Sequence, residues 1–124
     1  MTTLTETRNL GDLLKYEAPN AYSRDTGAVA AGQTLALGTV LGRETATGKL
    51  RALTPAATNG SQTAVAVLAQ QADANLADVE ALIVARHAIV ARNALVWPAG
   101  ITAPQRTAAE AALTALGIVI RDAA

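Results

Sequence analysis

The chain reads as a mostly β domain with one short C-terminal helix and an extended N-terminal arm. Three observations carry that reading. From Gly27 onward, short apolar runs alternate with turns containing glycine, proline or asparagine, which is the punctuation of strands. A capped, alanine-rich run near residues 103–116 gives the clearest helical signal. Residues 1–24 are polar, are broken by Gly11 and Pro19, and carry only isolated leucines and tyrosines. The division expected is an arm over 1–24 and a β-rich domain over 25–124.

The arm is too short and broken to hold structure alone, although Asp12 to Tyr16 can form a local helical turn. It reads either as a disordered terminus or as an arm that orders on a partner, its leucines and tyrosines serving as apolar anchors. Ala31 to Gly38 places leucines two apart between glycines, as in a short strand or tight loop. Thr39–Thr45 and Lys49–Thr54 flank Ala46-Thr47-Gly48 and predict a hairpin. Pro55 to Ser61, with Asn59-Gly60, is a loop leading into Thr63–Ala69, whose unbroken apolar character suits a strand buried on both faces.

Residues 75–92 admit two readings. Leu76, Val79, Leu82, Ile83, Arg86 and Val90 fall at helical spacing, and that spacing alone favours a helix. Against it, Leu82-Ile83-Val84 and Ile89-Val90 are β-type clusters separated by a possible turn at Arg86-His87-Ala88. The later helix is better marked. Thr102 is an N-cap, Gln105 completes a capping box, Pro104 lies in the first turn, and Gly117 stands where a helix stops. Ile118-Val119-Ile120 then resumes β character.

Composition narrows the function classes. The 124 residues are 51% hydrophobic but only 2% aromatic, with no Phe and much Ala, so each core side chain buries little area. A domain built this way gains from burying further surface against copies of itself or another partner. The net charge is +0, and Lys and Arg are scattered singly, without the basic footprint of a nucleic-acid binder. Cysteine is absent, which removes disulfides, thiolate nucleophiles and cysteine metal sites. The polar start lacks a signal-peptide pattern, and no apolar run approaches a membrane span, so no membrane partner is expected.

No constellation carries catalytic chemistry. His87, the single histidine, has no second His or Cys nearby and reads as a solvated turn residue. Asp73, Asp78 and Glu80 form a small acidic group without the spacing of a calcium loop. Ser61 lacks a nucleophile elbow, Lys49 is a single lysine after a turn, and the glycines form no phosphate-binding loop. The expectation is a non-enzyme with no cofactor, metal or small-molecule substrate. Trp97-Pro98 reads as a core or subunit-interface anchor.

Taken in order, Val40-Leu41-Gly42-Arg43, Gly60 to Leu68, the β segments at 81–86 and 89–92, Leu95-Val96-Trp97-Pro98 and Leu116-Gly117-Ile118 resemble the head decoration proteins of tailed bacteriophages, the lambda-type capsid-stabilising family. The resemblance runs from Tyr22 to Ile120. It implies a compact β-clip or β-tulip-like domain that assembles as a homotrimer. It also implies that 81–86 and 89–92 form a hairpin with His87 near the tip. Such trimers sit outside the expanded head at three-fold positions and act as cement against the pressure of packaged DNA. The implied partners are the major capsid protein and sister subunits, with no nucleic acid. The implied location is the outer capsid surface of the virion, after synthesis in the host cytoplasm. On this reading the arm extends a capsid sheet, with Leu10, Leu13, Leu14, Tyr16 and Tyr22 as its contacts. Deleting residues 2–22 would then leave a folded trimer that no longer binds expanded heads. Trp97, Pro98, Leu113, Leu116 and Ile118 are expected in the core or the trimer interface. The alternatives are a trimeric tail or receptor-binding virion component, or a small β-fold enzyme or carrier domain.

Overall fold

The computed structural model describes residues 10–17 and 23–122. Its elements follow in chain order. A helical turn α1 (Leu10–Leu13) leads into β1 (Leu14–Glu17), followed by β2 (Arg24–Val29), β3 (Gln33–Leu35), β4 (Val40–Arg43) and β5 (Leu50–Ala52). Then come β6 (Ala64–Leu68), β7 (Ala72–Ala74), β8 (Val79–Val84) and β9 (Ala88–Ala91). A 3₁₀ turn at Arg92–Ala94, the helix α2 (Ala103–Ala115) and β10 (Ile118–Arg121) complete the fold. The mostly β class with a short C-terminal helix is therefore what the chain adopts.

Five strands close a barrel in the order β2-β5-β4-β6-β8. The β4–β5 hairpin forms where the sequence places it, with Leu41 opposite Ala52 and Arg43 opposite Leu50. Its turn is closed by the N–H of Glu44 donating to Lys49 O and that of Gly48 donating to Glu44 O, both at 2.8 Å. β2 pairs antiparallel with β8 from Arg24↔Val84 to Val29↔Val79, and a parallel contact of Val29 with Leu50 shuts the barrel.

The apolar runs make sense once the two cores are seen. Leu41, Leu50, Ala66, Leu68 and Ile83 fill the barrel interior. Val40, Val67 and Val84, neighbours of these residues on the same strands, face the other way. There they meet Leu13, Val90, Leu113 and Ile118, beneath α2 and a second sheet. β6 and β8 are thus covered on both faces, so neither shows the polar alternation of a half-exposed strand.

That second sheet has the order β1-β9-β10, with β10 parallel and β1 antiparallel to β9. Its composition corrects the expectation of a hairpin at 81–86 and 89–92. Both segments are strands rather than helix, but β8 belongs to the barrel and β9 to the second sheet. His87, exposed and at φ 49°, turns the corner between them. The hydroxyl of Ser23 donates to His87 O at 2.7 Å, and Ala88 N–H donates to Gly117 O at 3.2 Å. These bonds draw the corner towards β2 and the end of α2 instead of folding β9 back on β8.

α2 begins with the capping box the sequence specifies: Thr102 accepts from Gln105 N–H, and the Gln105 side chain accepts from Thr102 N–H. Ala109 and Leu113 bury its inner face. At the other end of the chain the structure departs from an arm extended throughout. Leu10–Leu13 is helical, Leu13 is wholly buried, and β1 is laid on β9 with Tyr16 opposite Ile89. Tyr22 lies outside the described residues.

Candidate functional site

Two surface features stand out, and each is built by packing from below. The first is the outward face of the β1-β9-β10 sheet. Tyr16 and Val119 both lie opposite Ile89, so an apolar row crosses all three strands. Tyr16 is 53% exposed and Val119 39%. β1 is held beside it by an ion pair. Arg24 Nε and Nη2 donate to the two carboxylate oxygens of Glu17, each at 2.6 Å. These bonds hold the Glu17 carboxyl below its ordinary pKa and raise that of Arg24. The pair clasps the end of β1 to the start of β2.

Trp97 and Pro98 carry the second feature. After the 3₁₀ turn the chain crosses β4, where Val96 N–H donates to Gly38 O at 2.8 Å and Val40 N–H donates to Val96 O at 3.1 Å. Gly38 is required at this crossing: its φ is +94°, and a Cβ there would lie 2.2 Å from Ala94 O. Trp97 therefore follows an isolated bridge between Thr39 and Val96 rather than a regular strand. Trp97 and Pro98 are half-buried. The Arg106 guanidinium lies 5.7 Å from the indole centroid, within cation–π range. Trp97 and Pro98 border a shallow groove with Leu35 and Val40, and Pro98 borders an adjoining one with Pro55 and Ile101. Leu113 and Ile118 are fully buried, whereas Leu116, at the helix C-terminus, is 38% exposed.

Most of the polar residues singled out from the sequence are spent on structure. Lys49 Nζ lies 2.6 Å from Asp78, which also accepts the Ala31 N–H at 2.8 Å. The bonds to Lys49 first, then to Ala31, lower the Asp78 pKa, and the partnership raises that of Lys49. Asp73 accepts the Asn75 N–H at 3.3 Å, and Glu80 lies opposite Ala28 in the barrel wall. Ser61 is 1% exposed and bonded to Asn59. Among the described residues no three of His, Cys, Asp or Glu gather as metal ligands. None of their helices is long and apolar enough to cross a membrane.

Sequence reasoning missed two things here. It did not find the docking of Leu10–Glu17, because eight residues carry too little periodicity to name a partner strand. It also missed the Tyr16–Ile89–Val119 row, which exists only through registers between strands distant in sequence.

A packed β domain whose ionic groups are largely committed to one another, and whose notable surfaces are apolar, has the make-up of a structural binding protein. The comparison with family profiles names the kind. Residues 3–118 match the profile described as bacteriophage lambda head decoration protein D, and the chain belongs to that family. It is a structural protein of the virion with a capsid decoration role. No curated protein matches the chain.

Proposed function

We propose that the protein is a cement protein whose homotrimers bind the outside of the expanded phage head at three-fold positions. There they contact the major capsid protein and stabilise the shell against the pressure of packaged DNA. The observation that carries the reading is the family match across residues 3–118. The N-terminal region, 1–24, supplies the capsid contact. Among the described residues β1 is an edge strand of its sheet, so a capsid strand can add beside it while Tyr16 offers an exposed anchor. Leu13 is buried in the chain's own core, so it and its half-buried neighbours Leu10 and Leu14 reach the shell only where β1 lifts from β9. Three such contacts per trimer multiply weak bonds through effective concentration. The groove at Trp97 and Pro98, with Leu116 at the helix end, is the surface for sister subunits. Host cytoplasmic synthesis fits a chain without cysteine.

The test mixes purified protein with expanded empty heads and follows sedimentation and imaging. Saturable binding at three-fold positions is expected. Failure to bind expanded heads would overturn the reading.

A further inference from the structure

The loop after β5 contains Asn59-Gly60, the one Asn-Gly pair in the chain, and the fold requires both residues. Gly60 has φ +105°, and a Cβ there would lie 2.4 Å from Thr45 Oγ1 and 2.5 Å from Arg43 O. No side chain fits. Asn59 Oδ1 accepts from the backbone N–H of Ser61 at 3.1 Å and from its hydroxyl. Ser61 is buried, so loss of Asn59 would leave that hydroxyl without its acceptor.

This dipeptide is chemically vulnerable, because an unshielded glycine nitrogen readily reaches the asparagine side-chain carbonyl. Hydroxide removes the Gly60 amide proton, and the nitrogen attacks Asn59 Cγ to form a new C–N bond. The Cγ–Nδ2 bond breaks, the departing nitrogen takes a proton from water, and ammonia leaves a succinimide. Water then opens the ring to aspartate or to isoaspartate, which carries an extra backbone carbon.

The loop restrains both reactants. Gly60 N–H, the nucleophile, donates to Gln62 Oε1 at 2.8 Å. The electrophilic side chain is pinned by Ser61. We propose that Asn59 is a latent deamidation site held closed by its own loop, with Gln62 as the positioning residue that restrains the attacking nitrogen. Reaction there breaks more than a side-chain bond. Thr45 N–H donates to Asn59 O at 2.8 Å and Thr54 N–H to Ser61 O at 2.9 Å, so an inserted carbon displaces the loop from both arms of the β4–β5 hairpin. A shell component that is not replaced once assembled benefits from keeping this site shut, although the chemistry holds whatever the chain binds.

The test follows amide loss at Asn59 by peptide mass spectrometry in the full-length chain, held in mildly alkaline buffer. Folded wild type should react at least about tenfold more slowly than the same chain in urea, since the loop bonds must break first. Gln62 is exposed, so Gln62→Ala leaves the core intact and should speed the folded reaction about 3- to 10-fold. Gln62→Glu keeps an acceptor oxygen and should stay slow. Equal rates in folded and urea-unfolded wild type would overturn the proposal. So would a natively folded Gln62→Ala that reacts at the wild-type rate.

Discussion

Leu13 lies in a polar stretch of sequence, yet it is wholly buried in the core that also holds Val90, Leu113 and Ile118. Leu13→Ala should therefore cost about 2–5 kcal/mol, the range of a buried Leu truncated in a core, read from urea unfolding. A loss under half a unit of RT would place the side chain at the surface. Trp97 is half-buried, so Trp97→Ala should cost about 2 kcal/mol, less than a fully buried indole. Glu17 gives a pH signature. Arg24 holds its carboxyl below the ordinary range, so as pH falls the unfolded chain takes up that proton first. The clasp thus stabilises above the ordinary carboxylate range, and its contribution is lost as pH falls through the folded value. Both partners are partly solvated, which limits the effect to about 0.5 kcal/mol. Glu17→Gln should be less stable than wild type at neutral pH, and the gap should close below about pH 4. A gap that persists in acid would show that the pair does not clasp β1.

At the scale of elements, what could be read from the sequence follows the range of the interactions. α2 was readable because its stop and start signals are local: Thr102, Pro104, Gln105 and Gly117 lie within the helix or beside it. Thr102→Ala should cost about 1 kcal/mol, because it removes the acceptor for Gln105 N–H, and thermal unfolding monitors it. The β4–β5 hairpin was readable for the same reason, since its turn residues adjoin its strands. Strand partners were not. The helical spacing of Leu76 to Val90 is an accident of two strands that follow one another while serving different sheets. Nothing between Val84 and Ala88 records that β8 pairs with β2 and β6 whereas β9 pairs with β1 and β10. The Trp97 groove was half readable: the residue was recognised as an anchor, but the Thr39–Val96 bridge that places it depends on Gly38, far upstream.

For the whole molecule, two thin cores share one barrel wall. Alanine-rich strands allow that wall to be packed on both sides, and the N-terminal segment completes the second core. Deleting residues 2–22 therefore does more than remove an arm. It strips Leu10, Leu13, Leu14 and the Glu17 clasp from the domain. A cleaner probe of capsid contact is Tyr16→Glu, which alters an exposed side chain and leaves the core unchanged. Capsid binding as a cement is the proposed role of the domain. Its most direct test is cosedimentation of the purified protein with expanded empty heads across a concentration series. Saturation is expected at one trimer per three-fold position, with binding weakened by Tyr16→Glu at unchanged fold. A protein that stays in the supernatant at every concentration would contradict it.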